Sequence, residues 1–257
     1  MTDQSLKNSS NLQAAETSGT YMVPDVAVYL FPVTMTDGPV DDVLPVRNID
    51  LLKKIKFFVV ENVRTARRFL KRVDRSINID ELHFVELSEH TPATDVYAML
   101  DPVRNGQPLG VMSEAGCPAV ADPGAILVDA AQREGFKVVP LVGPSSILLS
   151  LMGSGMNGQC FTFNGYLPIA DGARAAALRD MASAINKRNC TQIFIETPYR
   201  NNKLIETIVK SLPGDMRLCV ASDITGQNES VVTRSLSEWK KTKFDYNKIP
   251  AIFVLGR

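Results

Sequence analysis

Leu109-Gly110-Val111-Met112-Ser113-Glu114-Ala115-Gly116-Cys117-Pro118-Ala119-Val120-Ala121-Asp122-Pro123-Gly124 is the stretch on which the reading of the fold turns. Its first four residues are apolar throughout, as a strand covered on both faces of a parallel sheet requires. A loop of small and polar residues follows, and then an amphipathic stretch at 125–134. Asp122 suits a helix N-cap and Pro123 a first helical turn. Loops at the carboxyl ends of parallel strands are where open α/β sheets take their ligands. This loop runs to about twice the roughly 2–6 residues usual for a βα connection. Gly116 allows a ligand close to the backbone, while Pro118 and Pro123 stiffen the chain. A well-capped connection with no other role is the bland alternative.

Outward from that stretch the same alternation repeats. Strand-like runs are expected at Val26–Phe31, Phe57–Val60, Phe84–Leu87 and Val138–Val142, with helix-like stretches near 40–52, 63–73, 93–104 and 125–134. Together they predict a mostly parallel, two-face-covered sheet over 23–142. The second half offers strands at Phe161–Phe163, Gln192–Ile195, Arg217–Ala221, Ser230–Thr233 and Ala251–Leu255, and helices near 173–187 and 199–211. Its last strands follow one another closely, which predicts a mixed sheet. The fold class is therefore α/β with two α/β domains, 23–142 and 161–257, joined by a glycine-rich segment at 143–160. Residues 1–22, rich in Ser, Asn, Gln and Thr, read as a flexible tail.

Composition narrows the function. The 257 residues hold 28 Lys+Arg against 28 Asp+Glu, so any acidic partner must be held by a local patch. No apolar run approaches the ~18 residues of a membrane span, and the first residues do not read as a signal peptide. Four cysteines without a C-x-x-C and only two histidines, His83 and His90, argue against a zinc site and for a reduced, cytoplasmic protein.

Two further glycine segments deserve opposite treatment. Gly143-Pro144-Ser145 follows the Val138–Val142 run, so it lies at a second strand end and opens a helix. Gly153-Ser154-Gly155-Met156-Asn157-Gly158 satisfies G-x-G-x-x-G but follows a helix and precedes a strand, the reverse of the dinucleotide context. It reads as a decoy, and a nicotinamide dehydrogenase is the class it would otherwise suggest. Acid–base candidates are few. Glu61, His90, Glu114, Glu196 and Asp223 sit at or just after strand ends, where clefts form, but each is individually better explained as a cap or salt-bridge partner than as a catalytic group.

A cationic stripe is the remaining signal. Arg64, Arg67, Arg68, Lys71, Arg72 and Arg75 fall within about 140° of one helix face, opposite Val63, Ala66, Phe69, Leu70 and Val73. A solvated face normally mixes signs at i,i+4. Phosphate binding, as along an RNA backbone, and a merely soluble face both remain open.

Four motifs in order, Val111–Gly124, Val138–Ser145, Phe163-Asn164-Gly165-Tyr166-Leu167-Pro168 and Glu196-Thr197-Pro198-Tyr199-Arg200, resemble the tetrapyrrole methylase superfamily, most of all its ribosomal small-subunit RNA methyltransferase I branch. The likeness spans about 26–256. It implies S-adenosylmethionine in a cleft between the domains, a homodimer, and 2′-O-methylation of a ribose in ribosomal RNA. It also implies cofactor contacts from Ser113, Glu114, Ala115, Gly116 and Pro118, from Gly143, Pro144 and Ser145, and from Tyr166, Leu167, Glu196 and Thr197. On the acceptor side Glu61 or His90 is expected as base or orienter for the ribose hydroxyl, with Arg64 and the rest of the cationic helix on RNA phosphate. The chain departs from the family pattern at Pro32–Gly38, at Glu61-Asn62-Val63-Arg64 (Glu-Asp-Thr-Arg in the family), at Ser88-Glu89-His90-Thr91, at Tyr199, and in stopping at Arg257. A tetrapyrrole or other small-molecule acceptor, or a cofactor-binding module without catalysis, are the other readings these departures leave open.

Overall fold

The computed structural model describes residues 24–257, and the reading of 1–22 as a tail lies outside the described residues. The first half forms a five-stranded sheet from β1 (Val28–Phe31), β2 (Phe57–Val60), β3 (His83–Glu86), β4 (Leu109–Met112) and β5 (Val138–Pro140). Its order is β3-β2-β4-β1-β5 and every pair is parallel. Alternate residues face opposite ways, and both faces are covered. Tyr29, Phe31, Phe58 and Val60 pack under α1 (Val46–Leu52) and α2 (Val63–Val73). Val28, Val59, Leu109 and Val111 pack under α3 (Ala93–Ala98), α4 (Asp101–Arg104) and α5 (Gly124–Arg133). Gly110 is needed at the centre, since a Cβ there would lie 2.6 Å from the Phe58 ring.

The second half builds a mixed sheet in the order β6-β7-β10-β8-β9. Its strands are β6 (Phe161–Tyr166), β7 (Thr191–Ile195), β8 (Arg217–Ser222), β9 (Ser230–Ser235) and β10 (Ala251–Gly256), and only β6 and β7 pair in parallel. One face carries α7 (Asp171–Arg188), α8 (Asn201–Ser211) and α9 (Leu236–Trp239) over Phe194, Val220 and Phe253. The other carries α6 (Ser146–Ser154), whose Leu151 meets Ile193, Ala221 and Val254. The joining segment thus starts at a first-sheet strand and supplies a helix to the second sheet.

Several boundaries differ from the sequence-based expectation. The 40–52 helix is a 3-10 turn at Val40–Asp42 and a separate α1, because Pro45 has no N–H for a continuous helix. The 93–104 helix divides into α3 and α4 because Pro102 cannot donate to the carbonyl of residue 98. Asp122 is not the N-cap of α5. That position is Pro123, yet the Asp122 carboxylate still accepts the Gly124 N–H at 2.7 Å. β5 stops at Pro140, two residues short of the expected end, and β6 runs three residues further than expected through a register shift between Phe163 and Tyr166. The Gly153–Gly158 match is the end of α6, with Gly155 as a left-handed C-cap (φ 68°), so it holds no dinucleotide turn. No helix among the described residues is long and apolar enough to cross a membrane.

Candidate cofactor cleft and acceptor face

In the first sheet the connection from β1 runs toward β2 and that from β4 toward β5, so β1 and β4 form its switch point. Their carboxyl-end loops are stitched together there, the Val33 N–H donating to the Gly116 carbonyl at 2.9 Å. Gly116 takes φ 71°, a backbone that favours glycine, and a side chain there would point at the Pro144 carbonyl and Met35. The Cys117 thiol donates to that same carbonyl at 3.4 Å. Gly143 packs so closely that a Cβ would fall 2.3 Å from Cβ of Pro32. Three strand-end loops, at 32–38, 113–123 and 141–145, thereby become one wall.

The opposite wall comes from the second sheet. Phe163 and Tyr166 of β6, Ile195, Ala221, the 223–224 turn and Pro250–Ile252 join Ala115, Gly116, Ser145 and Ile147 around a cavity of about 350 Å³. That lies within the roughly 300–1,000 Å³ range of small-molecule and cofactor sites. Its lining combines apolar side chains with loop backbone, which suits a flat base and a polar amino-acid end. The expected cofactor fits this chemistry.

A second cavity of about 260 Å³ adjoins the first through Met35 and Thr36, which line both. It is more polar, lined by Thr34, Asp37, Thr65, Arg68, Arg72, Ser113 and Glu114. The cationic residues do not act as one set. Arg72 clamps the 34–38 loop, donating to the Thr34 hydroxyl at 3.1 Å and to the carbonyls of Thr36 and Gly38 at 3.2 and 2.7 Å. Lys71 caps the chain beyond the helix through the carbonyls of Arg75 and Ile77. Arg67 sits over the Phe84 ring at 5.5 Å. Arg75 lies past the end of α2, where Asp74 turns extended, so it leaves the expected helical stripe. Arg68 is the exposed cation left facing the second cavity, and Arg64 is exposed near the start of α2.

The expected site residues separate into lining, bracing and distant groups. Ala115, Gly116, Ser145 and Tyr166 line the main cavity, and Ser113 and Glu114 the second. Gly143 and Pro144 brace the wall, while Pro118 and Glu61 border a small hollow behind the 113–123 loop. Leu167 is in the second-sheet core. Glu196 is buried in an ion pair with Arg200 at 2.6 Å and accepts the Thr197 N–H at 2.6 Å, so both hold the 196–200 turn and neither lines the cavity. Glu61 accepts the Glu114 N–H at 3.1 Å, and burial pushes its carboxyl above the ordinary range. His90 lies in a shallow groove with Glu86, Ser88 and Asp95. The structure does not bring Glu61 and His90 together at either cavity. Among the described residues no group of three or more His, Cys, Asp or Glu could hold a metal ion.

Two lining regions had no sequence motif. The Met35–Thr36 loop follows the first strand, where the strand-end rule applied to Leu109–Met112 would have found it. Asp223, a candidate at a strand end in the sequence, does line the main cavity, whereas Ile224 and Pro250–Ile252 beside it come from antiparallel strands, for which that rule gives no signal. Asn62, which replaces an acidic residue of the family pattern, caps α2 by accepting the Thr65 N–H at 3.0 Å, a task either side chain performs.

No family model matches the chain. It is 29% identical over 216 residues to a ribosomal RNA small subunit methyltransferase I from Vibrio cholerae, covering 84% of this chain and 72% of that one. It is 34% identical over 178 residues to the protein of the same name from Mycobacterium tuberculosis, covering 69% of this chain and only 60% of that one. Its fold matches uroporphyrin-III C-methyl transferase from Thermus thermophilus, solved with S-adenosyl homocysteine, at TM-score 0.55 and 18% identity over 90% of this chain and 97% of the other.

Proposed function

We propose that this chain, which belongs to the tetrapyrrole methylase superfamily alongside the ribosomal RNA small subunit methyltransferase I proteins, is an S-adenosylmethionine-dependent methyltransferase acting on small-subunit ribosomal RNA. The observation that carries the reading is the pair of adjoining cavities: a main one walled by strand-end loops, and a polar one beside it carrying Arg68. S-adenosylmethionine, when bound, supplies a methyl group activated by a positive sulfur. Ala115, Gly116, Ser145 and Tyr166 would hold it, with Gly143 and Pro144 bracing them.

The chain's own contribution is positioning and exclusion of water. The second cavity receives the acceptor nucleotide, Arg68 meeting a phosphate and Arg64 extending the cationic track along α2. A ribose 2′-hydroxyl is a weak nucleophile, and its proton must be taken up as the oxygen attacks. Glu61 serves as an orienter here, fixing the loop through the Glu114 N–H. His90 meets only RNA that extends over its groove. A homodimer is supported by the exposed apolar side chains of Val142, Leu148 and Met152, at and just after the turn that enters α6. A ribosomal substrate supports a location in the cytoplasm.

The test is transfer of labelled methyl from the cofactor into RNA of a strain lacking the protein, with uroporphyrin-III as the competing acceptor. Label at one ribose 2′-oxygen of small-subunit RNA is expected, and label only in the porphyrinoid contradicts the reading.

A further inference from the structure

The second sheet carries two thiols side by side. β6 and β7 run parallel with Phe161 opposite Thr191, so one step back in the same register Cys160 stands opposite Cys190. The Thr191 N–H donates to the Cys160 carbonyl at 2.8 Å, which fixes that register at the sheet's edge. Adjacent strands lie about 4.8 Å apart, inside the roughly 4.4–6.8 Å Cα separation a disulfide spans, and paired positions point to the same face.

Side chains at opposed positions face each other, and the Thr162 hydroxyl lies 3.5 Å from the Cys190 sulfur. Burial raises the Cys190 thiol, but hydrogen bonds from Cys160 and Thr162 and the charge of Arg188 outweigh it and hold it below the ordinary value. The Cys160 thiol is raised, first by its interaction with Cys190. Cys160 is partly exposed and Cys190 buried, which gives the pair one entry point. Cys117 and Cys219 have no such neighbour, the first giving its hydrogen to the Pro144 carbonyl and the second lying in the core.

We propose that Cys160 and Cys190 are an oxidisable dithiol, a modification site that closes to an intrachain disulfide in the presence of a glutathione disulfide. Cys160, the reachable sulfur, loses its proton to solvent and attacks one sulfur of the oxidised glutathione as the thiolate, forming a mixed disulfide, and the departing glutathione thiolate takes up a proton from solvent. The Cys190 sulfur then attacks the Cys160 sulfur, the Cys160–Cys190 bond forms, and the second glutathione leaves carrying the Cys190 proton. Two thiols lose two electrons and two protons, and one glutathione disulfide becomes two thiols. Among the described residues β6 is an edge strand paired only with β7, and it carries Phe163 and Tyr166 into the main cavity. The new bond staples the start of that edge strand and leaves the cavity residues untouched.

The whole protein, equilibrated in reduced or oxidised glutathione, acid-quenched and alkylated, tests this by intact mass and peptide mapping. Expected are loss of two of the four free thiols, a Cys160–Cys190 linked peptide reversed by dithiothreitol, and a Tm several degrees higher when oxidised. Cys160→Ser and Cys160→Ala should each abolish the linked peptide and the Tm shift. The proposal is overturned if all four thiols stay alkylatable, if Cys160 stops at the glutathione adduct, or if the bond joins two chains.

Discussion

The 113–123 loop and the 222–229 turn line the same cavity from different sheets, and each holds two non-glycine residues in left-handed backbone. These are Ala119 (φ 66°) and Ala121 (φ 60°) in the first, Asp223 (φ 49°) and Thr225 (φ 67°) in the second. Such positions cost roughly 1–2 kcal/mol each and persist only where surrounding bonds fix them. In the loop, one oxygen of Asp122 accepts two N–H groups, from Ala119 at 2.8 Å and Gly124 at 2.7 Å, while Glu61 and Val33 tie down the neighbouring backbone. In the turn, Asp223 accepts the Asn228 N–H at 2.9 Å and Glu229 that of Thr225 at 2.7 Å. The turn also reaches across to the first half, where the Thr36 hydroxyl donates to the Thr225 carbonyl at 3.0 Å. The loop is thus fixed on several sides by its own half of the molecule, and the turn partly by its opposite number.

The largest effect is expected at Gly143. Gly143→Val forces a side chain into Pro32, and a loss of about 2–3 kcal/mol is expected, with at least tenfold weaker cofactor binding. Melting curves and titration calorimetry check it, and an unchanged affinity would separate the strand-end wall from the cavity. Asp122→Ala should cost about 2 kcal/mol, because two N–H groups lose their acceptor, while Asp223→Ala frees one and should cost about 1 kcal/mol. Denaturant melts of both variants rank them, and the reverse order would mean that the turn is the more firmly held wall.

Arg72→Ala and Arg68→Ala sharpen the view of the loop between the cavities. The first should cost about 1 kcal/mol and loosen the cofactor by releasing the 34–38 segment. The second should leave stability unchanged and lower the salt slope of RNA binding by about one. The smallest effect is Glu61→Gln. Because burial raises the folded carboxyl, the wild type binds its proton more tightly folded than unfolded. Its stability therefore declines as pH rises from the ordinary carboxyl value through the raised one. The Tm advantage of Glu61→Gln should grow over that window, and a pH-independent difference would remove the burial argument.

Much of the fold was legible in strand composition. Leu109–Met112 and Phe57–Val60 match their strands residue for residue because each is apolar throughout, and a central parallel strand demands that. The helices broken at Pro45 and Pro102 carried their own warning in a residue without an N–H. At the site, Gly116 and Ser145 were readable from their place at strand ends. Arg72 was not, since a charged side chain that spends itself on carbonyl groups looks, in sequence, like its solvent-facing neighbour Arg68. Asp223 was, as a carboxylate at a strand end, but the left-handed turn around it was not, since that conformation depends on hydrogen bonds to Glu229 and Thr36 and leaves no glycine at the strained positions themselves.

The loops at 113–123 and 141–145 close one cavity against the second sheet, and that cavity is where the cofactor is expected. Crystals grown with S-adenosylhomocysteine test it most directly. Density is expected between Gly116, Ser145 and Tyr166. Density elsewhere on the chain, or that cavity empty at saturating ligand, would contradict it.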